Sequence, residues 1–123
     1  MPRASHILVV DDDHAHRQLL QFVLQAHRYA VTVVEDGYAA LGYLRAHTPD
    51  AIILDVGMPG LSGLHVASRI RRLRRLRDVP IMIMSSLVDD EVRLAAANCG
   101  VAQIVEKPIA GSDLTRSLSR LLG

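Results

Sequence analysis

The sequence predicts a doubly wound α/β domain: a five-stranded parallel sheet in the order 2-1-3-4-5, with helices on both faces. Three observations predict it. A strand-like segment followed by a helix-like segment occurs five times, the pattern of parallel strands joined by helical crossovers. Three of the strand candidates, Ile7–Val10, Ala51–Leu54 and Ile81–Met84, are short unbroken apolar runs, as strands buried on both faces should be. Four of the five end in a polar residue, where ligands bind in open α/β sheets. The 123 residues suffice for one domain, expected to span 1–123.

Taken in order, Ile7–Val10 runs into Asp11-Asp12-Asp13, one of which can cap the helix that follows. In that helix Ala15, Leu19, Phe22, Val23 and Ala26 recur at helical spacing and are expected to face the core. Ala30–Val34 is β-branched, and Thr32 interrupts it, so an edge position is expected. Glu35-Asp36-Gly37 turns the chain into a short helix over Tyr38–His47, with Ala40, Leu41 and Leu44 inward. Thr48-Pro49-Asp50 leads into the third strand, which ends at Asp55 before the loop 55–63. A third helix carries Val66, Ile70 and Leu73 on one face and stops at Asp78-Val79-Pro80. The fourth strand runs into Ser85-Ser86. Asp89-Asp90-Glu91 then place acids at the start of a helix with Val92, Ala95, Ala96 and Cys99 inward and Gly100 as its terminator. Ala102–Val105 is the fifth strand, Glu106-Lys107-Pro108 follows, and a last helix over about 112–122 buries Leu114, Leu118 and Leu121. With five strands, the flavodoxin-like order puts its switch point between the first and third, where the aspartates 11–13 and Asp55 meet.

Composition excludes several classes. Hydrophobic residues make up 50% of the chain, enough for a real core, yet no run approaches membrane-span length. The start of the chain has no apolar signal segment, and Cys99 is the only cysteine, so a cytoplasmic protein without an internal disulfide is expected. A net charge of +1 implies no strong attraction to nucleic acid or membrane. Arg69, Arg71, Arg72, Arg74, Arg75 and Arg77 crowd one helix end. Without interleaved aromatics they read as a solvated face favourable to the helix dipole rather than a strand-binding groove. His14 and His16 read as residues facing away from the apolar stripe, with His14 the nearer to the acids; Cys99 reads as a small buried helix residue.

The polar strand ends form a chemical set: Asp11 and Asp12, Asp55, Ser85, Lys107. Carboxylates gathered in one cleft either raise one another's pKa or share a cation. Oxygen donors at this density suit Mg²⁺, which also binds phosphate oxygens. Phosphoryl transfer needs little beyond a positioned nucleophile and countercharge. Asp55 is the expected nucleophile, and Lys107, the only lysine in a chain with thirteen arginines, supplies a compact point charge.

On these residues the chain resembles the response-regulator receiver domain of two-component signalling. Val9-Val10-Asp11-Asp12, Leu54-Asp55 with Met58-Pro59 and Gly63, Met84-Ser85-Ser86 and Lys107-Pro108 stand in that family's order, and the match covers essentially the whole chain. The resemblance implies that Asp55 takes a phosphoryl group from the phosphohistidine of a sensor histidine kinase or histidine phosphotransfer protein. It further implies that Asp11, Asp12, Asp55 and the backbone carbonyl of Gly57 hold Mg²⁺, and that Ser85 and Lys107 contact the phosphoryl oxygens. With no output segment after Gly123, docking an unidentified downstream protein or passing the phosphoryl group onward is the expected output. Three features depart from the family pattern: Asp13 is a third consecutive acid, Gly57 has no side chain, and Ile104 stands where an aromatic switch residue is usual. Two rival readings use the same residues. One is a small phosphatase similar to the haloacid-dehalogenase group with Asp11 as nucleophile, which leaves Asp55 unexplained. The other is a receiver-like binding module that is never phosphorylated.

Overall fold

The computed structural model describes residues 3–58 and 60–123; Met1 and Pro2, at the start of the chain, and Pro59, in the loop after Asp55, lie outside the described residues. Among the described residues, five strands alternate with five helices: β1 His6–Val10, α1 His14–Ala26, β2 Ala30–Val34, α2 Gly37–Leu44, β3 Ala51–Asp55, α3 Gly63–Arg71, β4 Ile81–Ser85, α4 Asp90–Asn98, β5 Gln103–Glu106 and α5 Gly111–Leu122. A 3₁₀ turn, Arg74–Leu76, follows α3. All strand pairs are parallel, and the order is β2-β1-β3-β4-β5, as predicted, with β2 at an edge.

The two sheet faces feed two cores, because alternate residues of a strand point to opposite sides. Leu8, Val10, Ile52, Leu54, Ile81 and Ile83 pack on Ala40 and Leu44 of α2, Val66, Ala67 and Ile70 of α3, and Ala96 of α4. Ile7, Val9, Ile53, Met82 and Met84 meet Leu20 and Leu24 of α1 and Leu114 and Leu118 of α5. Each fully buried leucine contributes about 1.5–3 kcal/mol relative to exposure. Among the described residues, no helix is long and apolar enough to cross a membrane.

The structure corrects the expected face of α1. Ala15 and Ala26 are exposed, as are Leu19 (55%) and Phe22 (72%), whereas Leu20 and Leu24 are buried. Apolar residues occupy both candidate stripes, so periodicity leaves the rotation of the helix open. Packing decides it: Leu20 and Leu24 meet Ile7, Val9 and Ile53 of the sheet and the leucines of α5, and on the same side Asp13 accepts the His16 N–H and the His16 ring bonds Asp11. His16 is thereby turned inward, and Leu20 and Leu24, four and eight residues on, lie on the same side. Leu73 is also corrected. It lies beyond α3, is 42% exposed, and leaves the buried position to Leu76 of the 3₁₀ turn.

The basic run is only partly a solvated face. Arg71 donates from Nε to the Gly100 carbonyl (3.0 Å) and from Nη1 to the carbonyls of Leu76 (3.0 Å) and Arg77 (3.1 Å). Arg75 donates to the His47 carbonyl (3.1 Å), the Leu44 carbonyl and the Thr48 hydroxyl. These two side chains satisfy backbone acceptors at or just past the ends of α2, α4 and the 3₁₀ turn, groups that a helix end otherwise leaves orphaned.

Candidate functional site

The ladder extends one residue past three strands and thereby aims the site. Asp11 N donates to Val34 O (3.2 Å), Val56 N to Met84 O (2.9 Å) and Lys107 N to Ser85 O (2.8 Å). The acids at the ends of β1 and β3 are therefore held by backbone bonds at the switch point. Asp11, Asp12 and Asp55 each present a carboxylate oxygen, all within 4.8 Å of one another. Asp11 and Asp55 are buried and Asp12 is exposed, so the group opens to solvent on one side.

Asp55 is 4% exposed. Its Oδ1 accepts from Lys107 Nζ at 2.8 Å and from Gly57 N at 3.1 Å. The single lysine thus stands against the single strand-end acid of β3, as its place in the sequence suggested. Three carboxylates converge here with one ammonium in contact, an arrangement that suits a divalent cation with oxygen ligands.

Ser85 is buried at the expected strand end, but its hydroxyl does not meet Asp55. It donates to the Leu87 carbonyl (2.6 Å) and accepts from Leu87 N (3.2 Å), closing the turn toward α4. Of Gly57, the structure shows the N–H on Asp55. Among the described residues, a Cβ there would have Asp55 Oδ1, 3.8 Å away, as its nearest neighbour. His14 is exposed and meets Arg17 Nη2 (3.3 Å). Asp11, the nucleophile of the phosphatase reading, is fully buried. Its Oδ1 accepts from Asp13 N (2.9 Å), its Oδ2 bonds His16 Nδ1, and its carbonyl accepts from Arg17 Nη1 (2.9 Å).

His16 is the site residue that sequence reading missed. The available signal was its position three residues after a capping aspartate. That spacing puts its ring in the first turn, beside the residues preceding the helix. Together with Asp13, Leu19, Ser86, Lys107, Pro108 and Ile109 it lines an open cleft of about 460 Å³ beside the acids.

The third acid is explained by the cap. The backbone N–H of His16 on the Asp13 carboxylate is the main cause holding its pKa below the ordinary aspartate value. A depressed folded-state pKa means that the stabilisation is complete above the unfolded value and is lost as pH falls through the folded one. Below neutral pH, wild type is expected to lose thermal stability over that acid range by more than Asp13→Asn, whose cap does not titrate. Parallel acid melts of the two proteins check this; superimposable pH slopes would show that Asp13 does not couple folding to protons.

The profile of the response regulator receiver domain matches residues 7–119. The chain is 36% identical over 119 residues to the cyclic di-GMP phosphodiesterase response regulator RpfG of Xanthomonas campestris, covering 95% of this chain and 32% of that protein. It is 34% identical to the transcriptional regulatory protein CseB of Streptomyces avermitilis, covering 99% of this chain and 51% of that one. The chain therefore spans between a third and about half of these curated relatives. Among solved structures, chemotaxis protein CheY4 of Vibrio cholerae superposes with a TM-score of 0.94 at 28% identity, covering 97% of this chain and 99% of that one. The receiver domain of sensor histidine kinase PA1611 from Pseudomonas aeruginosa, solved with magnesium coordinated in its active-site cleft, gives 0.90 at 28% identity, covering 98% of both chains.

Proposed function

The chain belongs to the response regulator receiver family, and on that premise we propose that Asp55 is its phosphoacceptor. The observation that carries this is the pairing of a strand-end carboxylate with the chain's one lysine beside two further acids. The donor is the phosphohistidine of a sensor kinase or phosphotransfer protein. A carboxylate oxygen of Asp55 forms the new O–P bond while the N–P bond breaks, and the histidine nitrogen keeps the electron pair. The product is an acyl phosphate. Asp55 Oδ1 is already held by Lys107 and Gly57, so Oδ2, which makes no hydrogen bond among the described residues, is the attacking atom.

The clustered carboxylates of Asp11, Asp12 and Asp55 fit Mg²⁺, and the Gly57 carbonyl would be a further oxygen donor to it. When bound, the ion supplies countercharge to the phosphoryl oxygens. Lys107 neutralises the same group from the side of β5 and orients it as a point charge. Ser85 would exchange its bond to the Leu87 carbonyl for one to a phosphoryl oxygen, drawing the segment between β4 and α4 with it. That segment leads into a helix of which only Ala96 is fully buried, an element that a modest bias can shift. Output then passes through α4, β5 and α5 to a downstream protein or a further phosphotransfer step, with Ile104 filling space rather than switching as an aromatic ring would.

Incubation with acetyl phosphate and Mg²⁺ tests the reading: one hydroxylamine-labile phosphoryl group is expected. No label from any small donor or phosphohistidine protein would favour the unphosphorylated binding module. Mg²⁺ is tested separately by Asp12→Ala. With one of three carboxylate ligands removed, affinity by calorimetry is expected to fall at least about tenfold, roughly 1.4 kcal/mol. Without Mg²⁺ the variant is expected to melt no lower than wild type, because repulsion among the acids is relieved. Unchanged affinity would remove Asp12 from the ligand set.

A further inference from the structure

We infer that His16 is a positioning residue for the metal centre, holding the Asp11 carboxylate in its binding orientation from the first turn of α1. The inference rests on the Mg²⁺ reading above and adds a residue that the strand-end pattern does not contain. Asp11 is fully buried, and its carboxylate has two partners among the described residues: the Asp13 N–H on Oδ1 and His16 Nδ1 on Oδ2. The backbone donor alone leaves the carboxylate free to turn about its bond to Oδ1. The ring on the opposite oxygen removes that freedom. A carboxylate oxygen accepts, so Nδ1 carries the hydrogen in this pair. Each oxygen keeps a further lone pair, which leaves Asp11 able to serve an ion while both bonds persist.

His16 is itself well placed to be rigid. Its own backbone N–H bonds the Asp13 cap at 3.0 Å, and Leu20 and Leu24, four and eight residues further along the helix, are buried in the core. Arg17 ties the same turn to the Asp11 carbonyl at 2.9 Å. Asp11 is thus gripped at both carboxylate oxygens and at its carbonyl by one helical turn. Outer partners of this kind, when removed, typically cost 10–100-fold in metal affinity.

The side chain that reproduces the contact is asparagine. Its amide nitrogen sits at the same distance from the backbone as Nδ1, whereas that of glutamine lies one bond further out. The test is Mg²⁺ titration by calorimetry, without phosphodonor, of wild type, His16→Leu, His16→Asn and His16→Gln, each with a thermal melt. Affinity is expected to fall at least tenfold in His16→Leu and to return to within about threefold of wild type in His16→Asn, with His16→Gln remaining weak. Wild-type affinity in His16→Leu, even with a lowered melting temperature, would overturn the inference and leave His16 a packing residue. If His16→Leu does not fold, Asn and Gln variants of equal affinity would overturn it in the same way. Absence of Mg²⁺ binding in wild type would overturn the metal reading and this inference together, whereas loss of binding in Asp12→Ala but not in His16→Leu would overturn this one alone.

Discussion

Asp55→Asn is expected to abolish the hydroxylamine-labile phosphoryl group while leaving the protein folded. An amide oxygen carries no negative charge and forms no acyl phosphate, so the loss is complete rather than graded. The fold survives because asparagine has the same shape and its carbonyl can still accept from Lys107 Nζ and Gly57 N, the two donors now on Oδ1. Removing one of three clustered carboxylates also relieves repulsion, which offsets the weakened pairing with Lys107. Mass spectrometry of intact protein after acetyl phosphate treatment, with a far-ultraviolet spectrum of the same sample, gives both readouts. A label that persists in Asp55→Asn would place the acceptor elsewhere. Asp11 is then the next carboxylate to examine, although its burial and engaged oxygens argue against it.

Gly63→Ala is expected to be the most damaging single-methyl change near the site. The added Cβ would lie 2.4 Å from the Asp55 carbonyl oxygen, 2.9 Å from its carbon and 3.1 Å from Val56 Cα. All three are backbone atoms at the end of β3, so no rotamer relieves the clash. Overpacking costs typically about 1–3 kcal/mol, and a rigid obstacle belongs at the upper end. The same displacement moves Asp55 relative to Lys107 and the acids of β1, and a misplacement of about 1 Å can reduce rate on the order of 100-fold. Two glycines serve as controls. At Gly37 the nearest atom is Val66 Cγ2 at 2.5 Å, a side chain with some freedom to move; at Gly57 the nearest is Asp55 Oδ1 at 3.8 Å. Melting temperatures are expected to fall in the order Gly57→Ala, Gly37→Ala, Gly63→Ala, with the phosphorylation rate lost chiefly in the last. Equal melting and equal rates for Gly63→Ala and Gly57→Ala would show that the α3 start does not constrain Asp55.

Several other features also rest on contacts between residues distant in sequence. Arg71 and Arg75 looked like part of a uniform charged run, and only folding shows that they reach carbonyls of Gly100, Leu44 and His47. Ser85 is a different case: it was legible as a strand-end hydroxyl, and its bond to the Leu87 carbonyl, two residues on, is local to the turn toward α4.

From the sequence alone, the strand order and the meeting of Asp11, Asp12, Asp55 and Lys107 could be read, because they follow from local properties. A run buried on both faces is apolar throughout, its polar last residue marks where it leaves the core, and parallel connectivity brings those ends to one edge. The rotation of α1, and with it the place of His16, was decided only by tertiary structure. Leu19, Leu20, Phe22, Val23 and Leu24 spread apolar surface around most of that helix, so two rotations bury similar area and periodicity cannot rank them. Packing of Leu20 and Leu24 against Ile7, Val9 and Ile53 of the sheet and Leu114 and Leu118 of α5 selects one of them, and the short-range bonds of His16 with Asp13 and Asp11 then fall on the same side.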